Sequence, residues 1–159
     1  MSTSLEISLS CLTRADADDF YHVVDAARED LVRWFVWPDA VSSPDEARRY
    51  IDEMHRCSRV RLFWLIRRHN TPVGGVQLRL RCGGAAVSLP YWLIPSARGH
   101  GIATAAVEIA LRYARIIGFR QAVFHIATEN VRSRALAVRL GFAEVGEPAV
   151  TVFRDRQLL

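Results

Sequence analysis

The sequence predicts an α/β sandwich: a mostly antiparallel sheet of about six to seven strands, continued by a strand–helix–strand crossover, with helices on both faces. Three observations carry that prediction. The hydrophobic period alternates between two and about 3.6 along the chain, giving strand, helices, meander, helix, strand, helix and strands in order. Half of the 159 residues are hydrophobic and 24% are charged, a globular balance and not a disordered one. The stretch "ARGHGIATAA", residues 97–106, marks a place where a strand hands over to a helix through two glycines.

Taken in order, "ISLSCL" alternates as a strand does. Thr13 with Asp16 resembles a helix entry, and Ala17, Phe20, Val23, Val24 and Ala27 form a helical stripe behind it. In "SSPDEARRYIDEMHR", Ser43 is an N-cap, Pro44 takes the first helical position and Glu46 stands three past the cap. From Arg61 the runs "RLFWLIRR", "VGGVQLRLR" and "AAVSLPYWLI" read as three antiparallel strands separated by "HNTP" and "CGG". A helix then runs to about Ile117, its core stripe Ala103, Val107, Ala110, Leu111, Ala114 and Ile117, with Gly118 as its stop. "QAVFHIA" is a strand, "NVRSRALAVRL" a short helix closed by Gly141, and two short strands flank Glu147 and Pro148.

The length suits one domain over residues 1–159. Cys11, Cys57 and Cys82 are odd in number and lack metal-ligand spacing, so the chain fits a reducing, cytoplasmic setting with no metal. "MSTSLEISLS" does not resemble a signal peptide, and no apolar run reaches the length of a membrane span. The net charge of +4 favours a polyphosphate ligand or an acidic partner surface. No nucleic-acid motif accompanies it, so direct nucleic-acid binding is not expected.

What the glycine stretch could hold follows from helix physics. The first N–H groups of a helix lack backbone partners and carry partial positive charge. Gly99 and Gly101 would let phosphate oxygens approach those amides, Arg98 would add charge and Thr104 a hydroxyl. A strand-to-helix turn that simply needs glycine explains the same residues. The spacing matches neither "GxxxxGK[ST]" nor "GxGxxG", which disfavours an NTPase or a dinucleotide-binding domain.

Longer stretches carry a resemblance. "YWLIPSARGHGIATAAVEIALRYA" resembles the acetyl-CoA signature of the GNAT superfamily of N-acetyltransferases, whose loop reads R/Q-x-x-G-x-G/A, here Arg98, Gly101 and Ala103. "ATENVRSRALAVRLGF" is similar to the next part of that family, an Asn after the fifth strand and a helix ending in L-G-F. "AAREDLVRWFVWPDAVSSPDEARRYI" resembles the N-terminal region of the RimL/RimJ-like branch, ribosomal-protein N-terminal acetyltransferases. The resemblance implies a GNAT fold and acetyl-CoA as cosubstrate. It implies that the backbone of Tyr91, Trp92 and Leu93 pairs with the pantetheine arm like an added strand. Arg98, Gly99, His100, Gly101, Ile102, Ala103 and Thr104 would hold the pyrophosphate, and Asn130 would hydrogen-bond the pantetheine or the thioester region.

Acetyl transfer needs a neutral amine, a stabilised oxyanion and a proton for the departing thiolate. Many members of the superfamily use a Tyr in the last helix as that acid, and this chain has Ala137 in the corresponding place. Ser133 is the hydroxyl in that helix and takes the role here; an early-helix serine bonding its own backbone is the alternative. "AAVSLPYWLI" has no carboxylate where relatives often carry a base, and His125 and Glu129 are the nearby candidates. An α-amine, with a pKa near 8, needs less help than a lysine near 10.4. Trp34, Phe35 and Trp37 could line an acceptor cleft, and Arg28, Glu29, Asp30 and Arg33 could read a charged acceptor. The tail after Phe142 is short for the RimL/RimJ-like branch, which implies an acceptor site left open or completed by a second subunit in a homodimer.

The expected function is acetyl transfer from acetyl-CoA to a primary amine, foremost a protein N-terminal α-amine. The rival readings are a small-molecule amine acetyltransferase (aminoglycoside, polyamine or amino acid) and a non-catalytic acyl-CoA-binding protein.

Overall fold

A computed structural model describes residues 6–56, 61–80, 86–145 and 150–154. Among them are eight strands and four α-helices: β1 (Ile7–Cys11), α1 (Ala17–Leu31), α2 (Pro44–Arg56), β2 (Arg61–Arg68), β3 (Thr71–Leu80), β4 (Ala86–Ser88), β5 (Tyr91–Leu93), α3 (Ile102–Ile116), β6 (Gln121–Ala127), α4 (Val131–Arg139), β7 (Ala143–Val145) and β8 (Val150–Arg154). The sheet order is β1-β2-β3-β4-β6-β8-β7, with β5 on β3. All pairings are antiparallel except β4 with β6. The turn around Glu147 and Pro148 lies outside the described residues.

The sheet separates two apolar clusters, as its alternating strands require. On one face α1 and α2 bury Ala17, Phe20, Val23, Val24, Ala27, Ala47 and Ile51 against Phe63, Leu65 and Trp92. Phe20 is fully buried there, edge-on to Phe63 with ring centroids 5.4 Å apart. Burial of such a ring contributes about 1.5–3 kcal/mol. On the other face α3 and Ala137 of α4 pack against Trp64, Ile66, Val76, Leu93, Phe124 and Ile126.

Helix starts follow the local chemistry. Thr13 and Asp16 cap each other reciprocally around a short 3₁₀ turn that leads into α1. Ser43 Oγ accepts the Glu46 N–H at 3.2 Å, whereas the Glu46 carboxylate turns to Ser42. Arg67 of β2 reaches Asp16 at 2.9 Å and Asp19 at 3.4 Å, tying the sheet to the start of α1.

Two elements differ from expectation. Ile117 was expected in the core stripe of α3, but it follows the last helical turn and is exposed, and Ile102 and Ala106 join the stripe instead. The expected strand over 85–94 is divided at Leu89–Pro90, where proline removes a backbone donor. Its register against β3 is unbroken, with Arg79 opposite Ser88 and Val76 opposite Tyr91. The separate count of β4 and β5 makes eight strands. No described helix is long and apolar enough to cross a membrane.

Candidate functional site

The division of β4 from β5 opens the sheet. Ala86–Ser88 pairs in parallel with Gln121–Val123, but β5 pairs with β3 alone, while His125 and Ala127 of β6 pair with β8. A seam therefore opens between β5 and the C-terminal half of β6. Parallel neighbours that diverge at their C-terminal ends, each followed by a helix, form the kind of crevice in which α/β proteins bind ligands.

Hydrogen-bond parity states what β5 presents to the seam. Gln77 N–H donates to Pro90 C=O at 2.8 Å, and Ile94 N–H donates to Val73 C=O at 2.9 Å. In an antiparallel ladder every second residue faces its partner, so Trp92 spends its N–H and C=O on Gly75. Tyr91 and Leu93 face the other way. This corrects the expected set of three: Tyr91 and Leu93 have backbone groups directed at the seam, and Trp92 does not. The indole of Trp92 is buried in the α1–α2 cluster and the side chain of Leu93 in the α3 cluster. Gly74 and Gly75 allow β5 to close on β3, since a Cβ at Gly74 would stand 2.2 Å from Trp92 O. A doubled glycine inside a strand marks such a close approach, a signal the strand reading of "VGGVQLRLR" did not use.

The chain leaves β5 through a 3₁₀ turn and enters α3 through Arg98–Gly101. Gly99 and Gly101 hold φ of 78° and 75°, and Gly101 is the left-handed N-cap of α3. Its first helical bond is Ala105 N–H to Gly101 C=O at 3.0 Å. The N-cap makes no side-chain bond, whereas Asn130 caps α4 through its side chain. A Cβ built on Gly99 or Gly101 meets nothing within 4 Å. The helix start is thus open to a ligand, with Gly99, His100 and Gly101 exposed around it. Ile102 anchors it in the core, Ala103 packs against the same cluster, and Thr104 stands in the first turn. The residues fit a pyrophosphate: an uncapped N-terminus whose surroundings a side chain would fill.

Arg98 sits differently from the expectation that it adds free positive charge. Its guanidinium donates to Asp30 at 2.7 Å and to Leu93 C=O at 3.0 Å. The charge is shared with a carboxylate of α1, and a seam-facing carbonyl is already satisfied. Arg28 likewise spends its donors on Pro38 C=O and Val41 C=O, holding the connection from α1 to α2.

On the opposite side of the seam, Asn130 Oδ1 accepts the Ser133 N–H at 3.2 Å. That cap leaves the amide nitrogen of Asn130 as its group for a ligand. Ser133 stands in the first turn of α4, partly buried. Burial pushes the Tyr91 phenol up, against the smaller opposing effects of nearby Ser133 and the charge of Arg139. The phenol therefore stays protonated at neutral pH.

The acceptor-side candidates are divided. Trp37 joins the aromatic cluster, 5.9 Å from Trp92 and 5.6 Å from Tyr50 between ring centroids. Trp34 does not; it carries the Arg33 guanidinium 5.1 Å above its ring. His125 is exposed on the face of β6 opposite Phe124 and Ile126, which pack towards α3. Glu129 is exposed in the turn before α4. A cavity of about 280 Å³ lies along α1, lined by Asp25, Arg28, Glu29, Asp30 and Pro95 among others. Among the described residues no group of three or more His, Cys, Asp or Glu could hold a metal ion.

The helix cap has a measurable contribution. Asn130→Ala should cost about 1 kcal/mol, lowering the ligand-free melting temperature by roughly 2–4 °C. Calorimetry checks this, and an unchanged midpoint would remove the structural role of the cap.

Comparison with known proteins places this geometry. A family model described as Acetyltransferase (GNAT) domain matches residues 7–143. No curated protein matches the chain. Among solved structures, RimL, a ribosomal L7/L12 alpha-N-protein acetyltransferase in complex with coenzyme A, is 20% identical with a TM-score of 0.85, covering 98% of this chain and 96% of its own. The microcin C7 self-immunity acetyltransferase MccE, in complex with acetyl-CoA and AMP, is 19% identical with a TM-score of 0.83, covering 94% and 92%. RimJ of Mycobacterium smegmatis, in complex with CoA-disulfide, is 19% identical with a TM-score of 0.81, covering 94% and 81%.

Proposed function

Because the chain belongs to the GNAT family of acetyltransferases, we propose that it moves the acetyl group of acetyl-CoA to the α-amino group of a protein N-terminus. The observation that carries the cosubstrate is the seam: a strand edge facing an opening, continued directly into an uncapped, glycine-flanked helix start. An extended pantetheine arm matches the first feature and a pyrophosphate the second. Tyr91 and Leu93 hold the arm by their backbones, the amides from Gly99 to Thr104 hold the phosphates, and the Asn130 amide nitrogen donates to a carbonyl of the cosubstrate. When bound, acetyl-CoA supplies an activated acyl group; the chain supplies position and the proton for the leaving sulfur, from Ser133.

The α-amine is favoured by what β4 and β5 lack. Neither strand carries a carboxylate beside the seam, so the acceptor's own ionisation sets how much nucleophile is present. At pH 7 about one α-amine in ten is neutral, against roughly one lysine in two thousand. A small-molecule amine is the second reading, because MccE is as similar in fold as RimJ.

Thiol release from acetyl-CoA, with paired peptides, tests this. A peptide with a free N-terminus and blocked lysines should react, and kcat/KM should rise with pH to a plateau above about 8. The partner peptide, N-terminus blocked and lysines free, should be poor. A better rate on lysine, or reaction only with a polyamine or aminoglycoside, would reject the α-amine. Cosubstrate binding without thiol release to any amine would leave an acyl-CoA-binding protein.

A further inference from the structure

Asp30 of α1 lies 68 positions from Arg98 in the chain, yet its carboxylate accepts the Arg98 guanidinium at 2.7 Å. We propose that Asp30 is a positioning residue for the cosubstrate: through Arg98 it holds the glycine loop in the shape that receives the pyrophosphate. This rests on the acetyl-CoA reading above. It also moves Asp30 from the acceptor side, where the sequence placed it, to the cosubstrate side.

One guanidinium joins three elements. Arg98 follows the 3₁₀ turn Pro95–Ala97, and its backbone N–H donates to Pro95 C=O at 3.2 Å. Its side chain folds back along that turn to Leu93 C=O at 3.0 Å, while a second nitrogen holds the Asp30 carboxylate. Leu93 ends β5 and turns its backbone to the seam. The strand end and the loop start are therefore set together, before any ligand arrives. At the far end of the loop, Ile102 is 1% exposed and anchored in the α3 cluster. Between the two anchors stand Gly99, His100 and Gly101, with both glycines at positive φ. Glycine loses more freedom on ordering than any other residue. A loop released at Arg98 would lose that freedom when the ligand binds; a loop fixed beforehand has lost it on folding.

The rival roles for Asp30 predict different results. As a bystander charge, the carboxylate would repel a polyphosphate and withhold Arg98 from it, so its removal would tighten binding. As a reader of the acceptor, from its place on the cavity with Glu29 and Pro95, it would act on the amine. The bonds favour positioning, because Arg98 spends its donors on a carboxylate and a backbone carbonyl of its own chain. The two side chains are 31% and 46% exposed, and an ion pair that open to water adds little to global stability. Its effect is local to the loop.

Asp30→Ala removes the carboxylate and suits the last turn of α1, where alanine is favoured and negative charge is not. We expect acetyl-CoA binding by titration calorimetry to weaken about tenfold, or about 1.4 kcal/mol, with KM for acetyl-CoA rising alongside. Both kcat and the amine KM should hold. The double variant with Arg98→Ala should bind no more weakly than Arg98→Ala alone, because Asp30 acts through that side chain. In the ligand-free variant, hydrogen exchange should quicken at the Ala97 and Arg98 amides, which bond Ile94 C=O and Pro95 C=O, and stay unchanged in β2. Four results overturn the positioning role and leave the acetyl-CoA reading standing: equal or tighter binding in Asp30→Ala, a rise confined to the amine KM, a further loss in the double variant, or unmoved exchange at both amides. A folded wild-type protein that does not bind acetyl-CoA defeats both.

Discussion

Replacing Gly101 by valine is expected to weaken acetyl-CoA binding about a hundredfold, or about 2.7 kcal/mol, while the protein still folds. Folding should survive because a Cβ at this position meets no protein atom within 4 Å. Two effects then fall on the ligand. Gly101 holds φ of 75° as the N-cap of α3, a region that costs a β-branched residue about 1–2 kcal/mol or more. The free loop can relax from that strain, but a loop that must gather its amides around a phosphate cannot. The branched side chain also occupies the space that phosphate oxygens need. Circular dichroism establishes the fold and titration calorimetry the affinity. Wild-type affinity in the folded variant would reduce the glycines to a turn.

Ser133→Ala is expected to lower kcat about a hundredfold, at the low end for loss of a general acid, with acetyl-CoA affinity nearly unchanged. In the proposed role the hydroxyl is needed only once the C–S bond begins to break, so its loss raises the barrier and spares the ground state. The helix itself should be indifferent, because the Asn130 cap uses the Ser133 backbone N–H and not its hydroxyl. This separates the two explanations of an early-helix serine: a structural hydroxyl would lower the melting temperature and leave kcat alone.

The sequence was legible where one physical rule decided the outcome. The stripe from Ala17 to Ala27 is buried at every position named, because period 3.6 against a single apolar sheet face admits one orientation. The cap at Ser43 and the positive φ at Gly99 and Gly101 follow from local chemistry alone. What was illegible depended on partners distant in the chain. Arg98 reads as a free cation in "ARGHG", and only the fold brings Asp30, 68 positions away, against it. Trp92 reads as equivalent to Tyr91 and Leu93, yet the register of β3 decides which residue of the three turns to the seam. Trp34 and Trp37 differ because Trp37 stacks near Phe20 and Tyr50, while Trp34 lies outside that cluster.

The open seam gives the cosubstrate a second standing, as part of the folded molecule's stability. A ligand that completes a sheet is bound by the native form and not by the unfolded chain, so it adds RT ln(1 + [L]/Kd) to the free energy of unfolding. At a hundred times its dissociation constant that is about 2.7 kcal/mol, a large share of what a domain of this size has to spare. Because quality control in cells removes the unfolded fraction, a shift of this size is expected to lengthen the protein's persistence while the cosubstrate is bound.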